Sequence, residues 1–282
     1  MFLDEHAPKE IHSDLMIAFD VTSVLPEAIE PTDHSRSIGF VSAFAAPAGK
    51  GTFLFLETAE GFSRRDETSK SWALVKENIF PSLVEWARQF QIAKNNGENF
   101  YTNGLPENFG GQFHISYASG EEIRVSDNRS PVLSRKAGVW LADHFAAAME
   151  AEQIRLPKLD FLREIRFSRE REDGGFTKAT LSLLPDGTGT NLKAQRFEDP
   201  HVCESEKPVN TDTILQIKRI VEENGVLAWS ELPKRAGLFS EKKELVFRFE
   251  DGTEIRVLDD RLLPSQLRHA FFDIELELTV KH

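Results

Sequence analysis

Cysteine is almost absent from this chain of 282 residues, in which Cys203 is the only one. A disulfide needs two thiols, and structural zinc usually takes several sulfur or imidazole ligands, so neither cross-link is expected to hold the fold together. Cys203 lies in a segment rich in carboxylates, which disfavour a thiolate. We therefore expect a solvated loop cysteine and not a catalytic pair with His201.

Long apolar runs and excess positive charge are missing as well. The longest apolar run, residues 38–48, is far shorter than the roughly 20 residues that span a bilayer, and the first ten residues do not resemble a secretory signal. The chain carries 34 basic and 46 acidic side chains, a net charge of −12, which repels phosphate backbones and anionic lipids. We expect a protein of the reducing cytoplasm that binds neither nucleic acid nor membranes.

A repeated decapeptide is the strongest pattern that is present. Residues 120–129 read GEEIRVSDNR and residues 252–261 read GTEIRVLDDR, with seven of ten positions identical. Residue frequencies of about one in twenty make such a match rare by chance. Weaker matches extend it at a spacing of 127 to 133 residues: Ile38 with Ile165, Asn96-Gly97 with Asn224-Gly225, Tyr101 with Trp229, and Pro131 with Pro264. The pattern predicts a tandem duplication, with an N-terminal extension at 1–35 and repeats at 36–156 and 157–282.

Two hairpins are expected in each repeat. Alternating apolar and polar residues flank a glycine-rich bend at 47–51 in the first copy and at 172–175 in the second. The second hairpins turn at Ser119-Gly120 and Asp251-Gly252. A strand in the extension is expected to join the first sheet, with one side formed by Leu15, Ile17, Phe19 and Val21.

Helices are expected after each hairpin. In the first copy, apolar residues at three- and four-residue steps predict a helix that begins near Ser69 or Ser71 and is kinked at Pro81; they are Trp72, Val75, Ile79, Leu83, Trp86 and Phe90. An equivalent helix is predicted around 214–221, and Asn-Gly is expected to end each of the two. The last helices are predicted near 133–148 and 267–278. Residues 272–280 also alternate like a strand, and similarity to the first copy favours helix.

These elements predict an α+β fold in which helices cover one face of a small antiparallel sheet. Each module is expected to follow the order ββαββα. The two modules are expected to form a pseudo-two-fold pair.

The candidate ligand- or partner-binding residues are Tyr101, Arg124, Asp127, Arg129, Trp229, Arg256, Asp259 and Arg261. Arg124 and Arg256 each follow a glutamate by two positions, so strand geometry permits an ion pair on one face. The Asp and Arg residues after each strand are expected in a loop, where Asp accepts backbone N–H groups and Arg binds carboxylates. Structural pairs and caps are the favoured interpretation, and contacts of the loop arginines with an acidic ligand are the alternative. Tyr101 and Trp229 are interpreted as matched core or rim aromatics, or as the lining of a shared groove.

Other motifs do not reach the requirements of a catalytic or cofactor site. Residues 46–52 contain Gly49-Lys50-Gly51, but the glycine spacing of a phosphate-binding loop is absent and a strand follows where that loop needs a helix. His144 beside Asp143 is interpreted as the polar edge of a helix and not as a base. We predict no catalytic residue, no cofactor and no metal.

The two copies share no nucleophile, base or metal ligand set. This favours a non-enzymatic interaction or scaffold protein whose acidic surface faces a basic or neutral protein partner. The alternative is an enzyme or small-molecule-binding protein with its site in a cleft between the repeats.

Overall fold

Two α+β units make up the chain, Met1–Ile154 and Arg155–His282. The structure is a computed structural model, and it describes residues 2–26, 38–60, 68–105, 110–196, 201–234, 241–259, 263 and 265–280. The predicted α+β class is confirmed. Within those residues, no helix combines the length and the apolar character that a membrane span requires.

The first unit contains one mixed sheet and two α-helices in its described part. The strands are β1 (Phe2–Leu3), β2 (Met16–Val24), β3 (Phe40–Ala48), β4 (Gly51–Ala59), β5 (Thr68–Val75), β6 (Glu98–Phe100), β7 (Gly111–Tyr117) and β8 (Glu122–Asp127). The helices are α1 (Phe80–Gln89) and α2 (Arg135–Met149), with a short 3₁₀ helix at Ile92–Asn95. The strand order is β1-β6-β8-β7-β2-β3-β4-β5, with β6 parallel to β8 and the other pairs antiparallel.

The second unit contains one antiparallel sheet and two α-helices in its described part. The strands are β9 (Leu162–Arg171), β10 (Phe176–Leu183), β11 (Gly189–Arg196), β12 (Cys203–Val209), β13 (Glu241–Phe249) and β14 (Glu254–Leu258). The helices are α3 (Thr211–Glu223) and α4 (Ser265–Thr279), and 3₁₀ helices occupy Leu159–Phe161 and Val226–Glu231. The strand order is β12-β11-β10-β9-β13-β14.

Apart from β1 and β6, which occur only in the first unit, the described strands of both units are connected in one order. A four-stranded meander is followed by a helix, then by a hairpin that pairs with the first strand of the meander, and then by a second helix. The predicted order ββαββα therefore has two strands too few before its first helix in both units. In the second unit the missed strands are β11 and β12, and six of the seven residues of β12 are exposed, which leaves no apolar alternation to detect. Cys203 accordingly begins an exposed edge strand and not a loop.

The four predicted hairpins are confirmed as β3–β4, β7–β8, β9–β10 and β13–β14. The strand expected in the N-terminal segment is also present, and β2 lies between β7 and β3 inside the first sheet. Its alternation was predicted incorrectly at one end. The pairing shifts between Met16 and Ala18, which exposes Leu15 and Ile17 while Phe19 stays buried.

The first helix differs most from its prediction. Residues 68–75 form β5, and α1 starts only at Phe80, so Pro81 lies in the first turn and does not kink the helix. That position suits proline because the first N–H groups of a helix have no intrahelical partner. Asn96-Gly97 follows the short 3₁₀ helix and not α1. In the second unit, Asn224 and the left-handed Gly225 do end α3, as predicted.

The remaining two helices are confirmed, including residues 272–279 of α4. Ser134 caps α2 by accepting the N–H of Ala137 at 3.3 Å. The apolar side of α2 packs into the core of the first unit, where Phe19 lies 5.5 Å from Trp86 and 5.9 Å from Phe145 between ring centroids. This core fixes the sheet on which the loops of the first unit are mounted.

Helix α4 buries two acidic residues. Glu275 and Glu277 are both buried. Glu275 pairs with Arg169 and Lys243, and Glu277 accepts a hydrogen bond from Gln216 at 2.8 Å. The second unit is therefore stabilised partly by charged groups between its sheet and its helix.

Candidate functional site

Three of the predicted site residues meet where the segment after β6 touches the segment after β8. We call residues 100–102 and 127–130 the loop pair. Asn128 is buried and joins the two segments, because its Oδ1 accepts the Thr102 N–H at 2.9 Å and its Nδ2 donates to the Thr102 carbonyl at 3.0 Å. The sequence analysis missed this role, although Asn128 lies within the repeated decapeptide.

Asp127 orders one side of the loop pair. Its carboxylate accepts the Arg129 backbone N–H at 2.7 Å and the Ser130 hydroxyl at 3.1 Å, and it pairs with the Arg129 guanidinium at 3.2 Å. Burial opposes ionisation of this carboxyl, but the hydrogen bonds from Arg129 and Ser130 outweigh burial and lower its pKa. The carboxylate therefore stays charged and holds the arginine in place.

Arg129 and Tyr101 present the outer surface of the loop pair. The Arg129 guanidinium carbon lies 4.1 Å from the centroid of the Phe100 ring, within cation–π distance. Tyr101 is 66% exposed. The loop pair thus carries one exposed aromatic side chain and one arginine that is already immobilised.

Arg124 belongs to different surroundings. Its guanidinium pairs with Glu122 at 2.6 Å, which is the ion pair expected along the strand. Its backbone N–H donates to Asn96 Oδ1 at 2.8 Å. The side chain is largely exposed and contributes to the surface of β8.

In the second unit, the corresponding residues are divided among separate places. Arg256 pairs with Glu254 at 2.6 Å, also as expected along the strand. Asp259 exchanges hydrogen bonds with Lys243, accepting its backbone N–H at 3.4 Å and donating its own N–H to the Lys243 carbonyl at 3.2 Å. Arg261 lies outside the described residues.

Tyr101 and Trp229 are not matched in their surroundings. Trp229 is fully buried in a 3₁₀ helix, and its indole N–H donates to the Asn224 carbonyl at 3.1 Å. The Tyr101 side chain is exposed, whereas the Trp229 side chain is buried. Only Tyr101 of this pair is available for recognition.

One serine and histidine approach each other as in a hydrolase, and the sequence analysis did not pair them. Ser82 Oγ lies 2.7 Å from His144 Nε2, and burial lowers the pKa of this histidine. The Ser82 hydroxyl also lies 2.7 Å from the Ile79 carbonyl, so this carbonyl and the histidine compete for its single proton. His144 also stacks on Trp140 at 4.4 Å.

The chain has no match to a known protein family, and no characterised protein is significantly similar to it in sequence. In the part of the chain that the structure describes, no three His, Cys, Asp or Glu side chains are grouped so that they could hold a metal ion. Function has to be inferred from the surfaces themselves.

Proposed function

We propose that this chain is a non-enzymatic interaction protein that recognises a protein partner through the loop pair of its first unit. One observation carries the proposal: Tyr101 is exposed and directly follows Phe100, whose ring contacts an arginine that Asp127 also holds. Tyrosine and arginine are enriched among the residues that dominate protein interfaces. An arginine that is already ordered loses less side-chain entropy on binding than a free one does.

The charge of the chain supports a basic or neutral partner. The acidic excess is concentrated in the first unit, which has 22 acidic and 13 basic side chains, whereas the second unit has 24 and 21. A surface of that sign steers basic partners toward it and repels acidic ones. Arg129 would then meet a carboxylate or backbone carbonyl of the partner at close range.

We also propose that the chain arose by tandem duplication. The decapeptide repeats in β7–β8 and β13–β14, and these hairpins occupy the same place in the connection order of their sheets. In that order β2, and not β3, corresponds to β9. The first copy would then begin near residue 16, within the segment that the sequence analysis treated as an extension. An experimental structure in which 16–149 and 162–279 do not superimpose strand for strand would disprove this.

Affinity capture with the full chain as bait tests the proposed function. Wild-type, Tyr101→Ala and Arg129→Gln baits are compared by quantitative mass spectrometry, with Phe272→Ala as the matched control because Phe272 is a comparably exposed aromatic on α4. We expect a protein that the wild-type and control baits retain and that the two loop-pair variants lose. Truncation of an interface hot spot costs at least about 2 kcal/mol, roughly thirtyfold in affinity.

The thermal melting temperature of each bait shows whether it is folded. An exposed tyrosine contributes little to stability, so Tyr101→Ala should melt with the wild type. If every captured protein is retained equally by wild-type and Tyr101→Ala baits, the loop pair is not the interface.

A further inference from the structure

The first unit contains a pocket of about 610 Å³ that none of the predicted site residues lines. It lies between residues 9–13, helix α1, the adjacent 3₁₀ helix, and strands β7 and β8. Its volume falls within the range of small-molecule sites in proteins. Part of its wall is apolar and is formed by Ile11, Val84, Ala87, Ala93 and Ile123.

The segment that forms one wall of the pocket is fixed at both ends. Asn96 Nδ2 donates to the Pro8 carbonyl at 2.9 Å. At the other end, the Glu121 carboxylate accepts the backbone N–H groups of His12 and Ser13, each at 3.0 Å. The wall is therefore part of the fold, and the pocket is formed before any ligand enters.

Tyr117 is one of the side chains that line this pocket. Only 3% of the residue is exposed. Burial raises the pKa of Tyr117 to about 12, so at neutral pH the phenol is protonated and able to donate. The phenol is therefore a hydrogen-bond donor on a residue that lines the pocket.

The charges around the pocket are mainly positive, in a unit that is strongly acidic. Lys9, Arg88 and Lys94 line it, together with the carboxylate of Glu10. Arg88 pairs with Asp14 and Glu85, and Lys9 donates to the Asn96 carbonyl. The Lys94 ammonium has no ion pair within the described ranges, which leaves one cation to attract an anion.

We propose that this pocket binds a small organic carboxylate, with its apolar body against the apolar wall and its charged head toward the Tyr117 hydroxyl and Lys94. Charge complementarity selects an anion, and the apolar wall excludes a small inorganic one as a tight ligand. The proposal does not depend on the protein partner proposed above, since the loop pair lines no part of this pocket.

Isothermal titration calorimetry on the full chain tests the proposal, with decanoate as the probe. The uncharged 1-decanol and the cationic decyltrimethylammonium have the same apolar body and serve as matched ligands. We expect saturable binding of decanoate with one molecule per chain. Because hydrogen bonds to a charged group are stronger than neutral ones, decanol should bind about tenfold more weakly, and the cation weaker still. If decanoate does not bind saturably, or if decanol binds equally well, the proposal is wrong.

Variants locate the site. Tyr117→Phe removes the hydroxyl alone, Lys94→Met removes the cation, and Ala93→Trp fills the pocket from its wall. Each should weaken decanoate binding about tenfold or more, and Lys94→Met should leave decanol binding unchanged. Lys242→Met, at an exposed position of β13, is the control and should bind as the wild type does. If Lys94→Met and Ala93→Trp bind decanoate as tightly as the wild type and the control do, decanoate occupies another place and the proposal fails. The result for Tyr117→Phe does not change that conclusion.

Discussion

The carboxylate of Glu275 lies 2.9 Å from Arg169 Nη1 and receives Lys243 Nζ at the same distance on its other oxygen. Arg169 and Lys243 are direct partners across β9 and β13. Two like charges opposite each other destabilise a strand pair. The buried glutamate of α4 removes that repulsion and ties the helix to the sheet at this point.

Glu275→Gln should therefore destabilise the protein strongly. Removing one member of a buried charge cluster costs about 3–5 kcal/mol; we expect about 3 kcal/mol, because Arg169 and Lys243 are partly exposed. Urea unfolding followed by circular dichroism measures it. Glu223→Gln breaks an exposed pair with Arg219 on α3 and should cost below about 0.5 kcal/mol. Equal costs for the two variants would show that Glu275 is not a structural ion-pair residue.

Asn96 and Asn224, which the repeat aligned with each other, should differ in their contribution to stability. Asn96 is buried and makes three hydrogen bonds, to the Pro8 carbonyl, the Glu122 carbonyl and the Arg124 N–H. Asn224 makes one side-chain bond, to the Ile220 carbonyl. At about 1 kcal/mol for each bond, Asn96→Ala should cost about 3 kcal/mol and Asn224→Ala about 1 kcal/mol. Limited proteolysis should also cut near residue 10 faster in Asn96→Ala, and unchanged cleavage would contradict the role of Asn96 in holding this segment.

Asp127 should make the stability of the loop pair depend on pH. Its pKa in the folded protein lies below the ordinary value of 3.8. A lowered carboxyl pKa stabilises the fold fully above the unfolded value, and that contribution is lost as the pH falls through the folded value. Asp127→Asn should thus be less stable than the wild type at pH 7, with the difference shrinking below about pH 4. Melting temperatures of both proteins between pH 2.5 and pH 7 check this, and a constant difference would exclude it.

Replacing Gln91 by glycine should raise the stability of the fold and weaken ligand binding. It has a positive φ of 51° two residues after the end of α1 and lines the pocket of about 610 Å³ in the first unit. Glycine adopts this conformation without the steric cost that glutamine has. Gln91→Gly should raise the free energy of unfolding by about 0.5–1 kcal/mol and weaken decanoate binding. The test fails if the variant is less stable than the wild type in urea unfolding.

Much of the fold could be predicted from hydrophobic alternation and turn residues, and the errors have specific causes. The turns at Ser119-Gly120 and Asp251-Gly252 lie where the sequence places them, because glycine supplies the positive φ that both need. The helix predicted to begin near Ser69 or Ser71 is wrong at its start, because Trp72, Val75 and Ile79 happen to follow helical spacing across β5 and the loop behind it.

The candidate site was predictable only in part. The repeated decapeptide led to Asp127 and Arg129, but no local pattern shows that Phe100 lies under the arginine. Tyr101 and Trp229, which the predicted repeat would place at the same position, differ completely in burial, because burial is decided by tertiary packing. The pocket lined by Tyr117 has no sequence signal at all, because it is assembled from residues 9 to 123.

The position of β2 inside the first sheet constrains how that unit can fold. One edge of this strand, at residues 16–24, pairs with β3. The other edge pairs with β7, which is synthesised about 90 residues later. Contacts so distant along the chain are slow to form, because the intervening loop must be closed first. An early segment rich in apolar residues therefore stays half-unpaired while the ribosome completes the unit, and this interval is when the nascent chain is most open to aggregation.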